Sequence, residues 1–399
     1  MTRILAKHYK TQAPIAIETD GERITSVEPL ECSAEEIQQL PFVSPGLFDI
    51  QINGYNGIWF SSPELTVQNV TDVTEALLAK GIARYFPTLI TASREALIHG
   101  FSTLRQACEE NPLVNDCVAG YHLEGPYISA EDGPRGAHPL QHVRPADYEE
   151  FRELQAASGG RIKLVTLAAE AENAVAFIQQ ACQDGVVVAL GHTGATPEQI
   201  QAAADAGAVL STHFGNGAHG TLRRHPNYLW EQLADDRLWA SVIADGWHVP
   251  ASVLKCVLKC KTDQQTILTC DVSGFAGCPP GTYAEGDVGV EVLEDGRLVV
   301  AGQRQFLAGS GATTGDCVVH MADACEIPLA TAVDMATHNP GRLFHEPIAS
   351  IGAGDAANLT LFRVTLSESG GRVCSRFEPV QTFVAGKEYF SADAATSAV

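Results

Sequence analysis

Eight short apolar runs, separated by stretches of helical composition, limit most strongly what this chain can fold into. The runs are Leu47–Ile52, Ile82–Thr88, Cys117–Leu123, Ile162–Leu167, Val186–Leu190, Ala208–Thr212, Trp239–Ala244 and Thr266–Cys270. Thr66–Lys80 opens on a threonine and stops before Gly81, and Ser93–Glu109 opens on a serine. Pro145–Ala157 starts with proline, which suits a helix's first turn. Ala171–Gln183 and Pro197–Ala206 stop near Gly185 and Gly207. Alternation of this kind implies a parallel sheet covered by helices. Eight repeats over ~225 residues suggest an α/β fold closed as a (β/α)8 TIM-type barrel. An open doubly wound sheet is the alternative. Polar residues gathered at the C-terminal ends of many strands favour the barrel.

The flanks follow other rules. Ala13–Glu18, the turn Thr19-Asp20-Gly21-Glu22 and Ile24–Val27 read as a hairpin. Pro279-Pro280-Gly281 opens a loop, and Val288–Leu293 and Leu298–Ala301 flank Glu294-Asp295-Gly296-Arg297, where Asp-Gly signals a second hairpin. Helices are expected over Thr314–Ala324 and Leu329–Thr337, then strands over Asn358–Val364 and Val380–Val384. The expected organisation is a small β-sandwich-like domain from residues 1–45 and 346–399 around a barrel of residues 46–345. That barrel carries a β-hairpin insertion near 279–306, and the tail from Ser391 to Val399 is expected to fray.

Composition narrows the function. The 26 Lys+Arg against 48 Asp+Glu leave a formal charge of −22, which argues against a general nucleic-acid binder. It does not exclude an anionic small molecule, since a pocket can be locally positive. Eleven cysteines sit singly, with no Cys-x-x-Cys pair, and read as reduced, mostly buried thiols. Cys256 and Cys260, four apart on an expected helix, read as sharing a core face. The N-terminus lacks the apolar core of a signal peptide, and no apolar run reaches the ~18–20 residues of a membrane span. A soluble, cytoplasmic protein is expected.

Four polar groups stand just past expected strands: Glu124, His192, His213 and Asp271. In a parallel barrel those ends share one mouth, so groups nearly 150 residues apart converge. Two imidazoles and a carboxylate make a ligand set suited to hydrolytic zinc, and a further carboxylate can take a proton from activated water. Taken singly, each residue also has an ordinary reading, a core histidine or a helix cap. Their joint placement at four strand ends favours a site.

These residues lie in segments that carry a resemblance. They are Pro45-Gly46-Leu47-Phe48-Asp49, His122-Leu123-Glu124-Gly125-Pro126, Gly191-His192-Thr193-Gly194-Ala195-Thr196, Thr212-His213 with Asn216, and Ala244-Asp245-Gly246-Trp247-His248. The Asp271 segment ending in Ala276-Gly277, and Gly354-Asp355-Ala356-Ala357-Asn358-Leu359, extend the series. From about Pro45 to Leu361 the chain resembles the amidohydrolase superfamily and, within it, the N-acetylglucosamine-6-phosphate deacetylase family. The resemblance implies hydrolysis of N-acetylglucosamine 6-phosphate to glucosamine 6-phosphate and acetate, and a homodimer. It implies Glu124, His192 and His213 as ligands of one divalent ion, zinc first, and Asp271 as general base and acid. It implies that His138 faces the acetamide and stabilises the oxyanion. It also implies that His248, Asn216 and the Gly217 amide contact the sugar phosphate, and that Arg224, or Arg223, meets the phosphate.

Two departures stand out. Where many amidohydrolases carry His-x-His, this chain reads Gln51-Ile52-Asn53. Amides are poor zinc ligands, so one tightly held ion is expected. Gln51 and Asn53 then either hydrogen-bond near it and orient Asp271 or only cap a strand end. The loop from Gly217 to Asn227 is rich in His and Arg and differs in detail from the family's pattern, which puts the 6-phosphate requirement in question even though its basic cluster favours an anionic substituent. Alternatives remain: another N-acyl amino sugar or small amide, a metal-stabilised scaffold, or nucleotide binding at Gly309–Gly315. The scaffold has no use for an uncommitted Asp271, and the Gly-rich stretch lacks the Lys of a P-loop.

Overall fold

The computed structural model describes residues 2–285, 288–347, 350–369 and 372–392. The eight runs form one parallel sheet whose strands neighbour one another in chain order. They span Leu47–Ile52, Ile82–Ile90, Tyr121–Glu124, Ile162–Leu167, Val187–Leu190, Leu210–Ser211, Trp239–Ile243 and Thr266–Thr269. Every residue of Leu47–Ile52 is buried, as expected for a strand covered on both faces.

First and eighth strands close the ring through a parallel bridge between Ile52 and Val272 and through Asp49. Asp49 Oδ1 accepts the Thr269 hydroxyl at 2.6 Å. Its Oδ2 accepts the Cys270 amide at 2.9 Å and the Thr314 hydroxyl at 2.6 Å. Burial pushes the Asp49 carboxyl up, and these donors pull it back. A buried carboxylate needs such donors, and here they join elements 220 to 265 residues away. The barrel floor is apolar: Phe48, Ile50, Phe86, Leu164 and Ile267 pack on Leu343 and Phe344 at the end of helix His338–Leu343.

Helix starts follow side-chain caps. Thr66 and Asn69 cap Val67–Leu78 reciprocally, Ser93 accepts the Ala96 amide, and Thr196 with Gln199 caps Pro197–Ala206. The helix expected from Pro145 begins at Tyr148, because Asp147 accepts the Glu149 and Glu150 amides and a proline side chain accepts nothing. The third strand begins at Tyr121 instead of Cys117. Asn111-Pro112 starts a short helix, Pro112–Cys117, capped by the Asn111 side chain. Cys256 and Cys260 are exposed, and Leu254 and Val257 form the buried face of helix Ala251–Lys261. None of the eleven cysteines forms a disulfide, and four are buried, fewer than expected.

The expected hairpin after the eighth strand is half of a four-stranded antiparallel sheet: Gly281–Glu285, Val288–Val292, Leu298–Val300 and Gln303–Leu307. Gly281, read as loop, begins its first strand. Both chain ends build one seven-stranded sheet, and its buried Ile4, Ile17, Ile24, Val43, Leu361 and Phe383 form a core of their own, separate from that of the barrel. Phe42–Pro45 joins its halves, pairing parallel with Thr2–His8 and antiparallel with Leu359–Ser369. Residues 393–399 of the tail lie outside the described residues. No described helix is long and apolar enough to cross a membrane.

Candidate active site

Glu124 is the last residue of the third strand. His192, His213 and Asp271 each stand two residues past the fifth, sixth and eighth strands. All three take left-handed backbone angles, with φ of 51°, 29° and 49°. Such angles cost non-glycine residues energy and mark positions held by their surroundings.

The four groups meet. Glu124 Oε1 lies 2.9 Å from His213 Nε2 and 3.3 Å from His192 Nε2, and the two imidazole nitrogens are 3.1 Å apart. Among the described residues this trio forms the one set of three His, Cys or carboxylate ligand atoms close enough to share an ion. The donor chemistry fits a divalent cation. His192 Nδ1 donates to the Pro134 carbonyl at 2.8 Å, which leaves the Nε2 lone pair facing the others. Two lone pairs and a carboxylate oxygen converging in a buried space repel unless a positive charge sits among them. Burial opposes ionisation of Glu124, but the two imidazoles set against it hold its carboxyl well below the usual range.

Gln51 and Asn53 are not idle strand caps. Gln51 Nε2 donates to Glu124 Oε1 at 2.8 Å and to Asp271 Oδ1 at 2.9 Å. Asn53 Nδ2 donates to the same Asp271 oxygen at 2.8 Å. Both amides therefore hold Oδ1 and leave Oδ2 to act. Burial, then the charge of Glu124, pushes the Asp271 carboxyl up to about 6.

His138 packs edge-on against His192, ring centroids 4.3 Å apart, with Nε2 3.8 Å from Glu124 Oε2. Its Nδ1 meets the Thr91 hydroxyl at 2.8 Å. Burial, then the neighbouring His192, lowers its pKa to about 3, so this imidazole is neutral. Asn216 Nδ2 donates to the His213 carbonyl at 3.1 Å. His248 donates from Nδ1 to Asp245 Oδ2 at 2.7 Å, a pairing the sequence reading missed. Arg223 and Arg224 are exposed. No hydrogen bond or ion pair joins either guanidinium to the cluster among the described residues.

Sequence reasoning also missed Thr91, the Pro134 carbonyl and Ser241, whose Oγ accepts the His213 amide at 2.8 Å. A backbone carbonyl carries no side-chain signal. Below the ligands, His122 Nε2 meets Thr166 Oγ1 at 2.8 Å, and Thr166 meets Thr212 at 2.7 Å. His122 is thus a satisfied core residue.

Gly217 has φ +54°, and a Cβ there would sit 2.7 Å from His192 Nδ1. Gly217→Ala is expected to displace the His192 ring and weaken ion binding by about 10–100-fold, the usual cost of disturbing a ligand's support. Chelator competition measures this; wild-type affinity would refute the packing argument.

Comparison with known proteins agrees with this geometry. Residues 42–389 match the amidohydrolase family. The chain is 31% identical over 325 residues to N-acetylgalactosamine-6-phosphate deacetylase of Escherichia coli O157:H7, covering 80% of this chain and 82% of that one. It is 27% identical over 366 residues to N-acetylglucosamine-6-phosphate deacetylase of Haemophilus influenzae, covering 90% and 93%. Among solved structures, a mutant N-acetyl-D-glucosamine-6-phosphate deacetylase from Mycobacterium smegmatis, in complex with N-acetyl-D-glucosamine-6-phosphate, superposes with a TM-score of 0.83. That match has 27% identity over 98% of this chain and 100% of the other. The chain belongs to the amidohydrolase family and, within it, to the N-acetylglucosamine-6-phosphate deacetylases.

Proposed function

We propose that this enzyme removes the N-acetyl group of an amino sugar 6-phosphate, with N-acetylglucosamine 6-phosphate as substrate. The observation that carries the reading is Gln51, which touches both a carboxylate of the ligand trio and the carboxylate we take as proton carrier. A structural ion site has no need of that coupling.

Glu124, His192 and His213 would hold one divalent ion, which we take as zinc from the donor set. When bound, such an ion supplies Lewis acidity to an amide carbonyl and lowers the pKa of water. Asp271 accepts the proton of the attacking water on Oδ2, since Oδ1 is occupied by two amides. As the C–O bond forms, neutral His138 donates from Nε2 to the developing oxyanion, its Nδ1 accepting from Thr91. Asp271 then returns the proton to the nitrogen as the C–N bond breaks, giving acetate and the free amine. The substrate's sugar lies toward His248, Asn216 and Gly217 in this reading, with a homodimer and a cytoplasmic setting. The cytoplasmic setting suits eleven cysteines that form no disulfide.

Acetate release tests it. The metal-loaded enzyme is given N-acetylglucosamine 6-phosphate, N-acetylgalactosamine 6-phosphate and both free sugars. The expected order is the glucosamine phosphate first, with free sugars at least about tenfold poorer in kcat/KM, the effect of losing one charge-assisted contact. A preference for the galactosamine phosphate reassigns the substrate to the C4 epimer, and no acetate from any sugar overturns the deacetylase reading.

A further inference from the structure

We propose that His122 and Thr166 are positioning residues: with Thr88 and Thr212 they form a buried, hydrogen-bonded belt under the ion ligands and set the spacing of Glu124, His192 and His213. This deepens the reading of that trio as an ion site and rests on it.

The interior layers of a barrel are ordinarily filled by branched aliphatic side chains. Phe48, Ile50, Phe86, Leu164 and Ile267 make an apolar floor here, but Thr88, His122, Thr166 and Thr212 lie between it and the ligands, all buried. Valine has the shape of threonine, and a buried polar group is costly unless it is hydrogen-bonded. Four of them together need a reason, and their hydrogen bonds supply it. The Thr88 hydroxyl donates to the Phe86 carbonyl at 3.2 Å, and its oxygen accepts the Ile52 amide at 3.1 Å. Its one proton is thus committed, so His122 Nδ1, 3.3 Å away, is the donor to that oxygen. His122 Nε2 then carries no hydrogen and accepts from Thr166 at 2.8 Å. Thr166 in turn accepts from Thr212 at 2.7 Å. Every proton has one place, and a buried network satisfied in this way is rigid.

Each part of the belt stands beside a residue of the site. Ile52 lies between Gln51 and Asn53, the two amides that hold Asp271. His122 is two residues before Glu124 on the third strand, so both side chains leave the same face of the sheet. Thr212 immediately precedes His213, and Gly191 immediately precedes His192. A Cβ on Gly191 would sit 2.9 Å from Thr166 Cγ2 and from Thr212 Cβ, so glycine there lets the fourth and sixth strands bond across the fifth. His192 and His213 hold left-handed backbone angles, which persist only where the surroundings fix them. Among the described residues no hydrogen bond joins a belt side chain to a ligand atom. The belt therefore acts on the ion through the placement of the strand ends alone.

The test sets Thr166→Val against Thr166→Ser, and Thr212→Val against Thr212→Ser, in the whole chain. Valine keeps the shape and removes the hydroxyl; serine keeps the hydroxyl and removes a methyl, which weakens packing. Zinc affinity is measured by chelator competition, ligand geometry by the absorption spectrum of the cobalt(II) form, and stability by the melting temperature of the ion-free chain. Both valine variants are expected to bind zinc about 10–100-fold more weakly, the range for losing a ligand's support, with altered cobalt bands. Both serine variants are expected to keep wild-type affinity and spectrum despite a lower melting temperature. His122→Phe, which keeps a ring and removes both nitrogens, is expected to match the valine variants; if it does not fold, the threonine pairs decide. Wild-type affinity and spectrum in the valine variants, or an equal loss with valine and serine, overturns the proposal and leaves the belt as core packing. A wild-type chain that takes up no ion overturns the ligand set and this role with it. None of these readouts needs turnover, so an absence of acetate release overturns the deacetylase reading alone.

Discussion

Asp271→Asn is expected to lower kcat by about 10²–10⁴-fold, the range for loss of one general acid–base group, while ion content stays at the wild-type level. The substitution is nearly isosteric, and an amide oxygen at the Oδ1 position still accepts from Gln51 and Asn53. What it removes is the oxygen that can bind and release a proton. The geometry around Glu124, His192 and His213 does not depend on that oxygen, so the ligands stay assembled. Initial rates and metal analysis on the same preparation decide the matter. Wild-type turnover in the variant would remove Asp271 from the mechanism, and loss of the ion would make it a ligand instead.

His213→Ala is expected to show the opposite pairing: loss of the ion together with activity. Its Nε2 lies closest to Glu124, at 2.9 Å, and faces His192 across 3.1 Å. Removing it leaves two ligands and a buried carboxylate short of one partner, and an uncompensated buried charge costs about 3–5 kcal/mol. After dialysis the variant should hold far less than one equivalent of ion. Its melting temperature should no longer rise when ion is added, because binding to the folded state is what stabilises it. His192→Ala should behave alike. A His213→Ala protein that keeps a full equivalent of ion and wild-type rate would show that the trio is not the ligand set.

Both variants act through residues that the amino-acid sequence alone singles out. Glu124, His192, His213 and Asp271 each follow an apolar run, and a parallel barrel brings such positions to one mouth. The supporting groups carry no comparable signal. Gln51 and Asn53 are visible as amides, but that both reach one oxygen of a residue about 220 positions away is a fact of closure. Asp49 looks like any acid in a strand until the eighth strand and the Thr314 helix arrive to hydrogen-bond it. Cys256 and Cys260 illustrate the reverse error. Spacing shows that two residues share a helix face, not whether that face meets the core. The insertion was half seen because only one of its turns carries an Asp-Gly pair.

Local chemistry, then, was enough for the alternation of strand and helix, most helix caps and the residue types able to hold an ion. Periodicity and capping act over a few residues, and those can be read in order along the chain. Only the folded barrel decided which edge of Asp271 is free and that the Pro134 carbonyl and the Thr91 hydroxyl meet the rings of His192 and His138. Those are contacts between segments far apart in sequence, fixed by packing and ring closure, and no local pattern encodes a distance across the barrel.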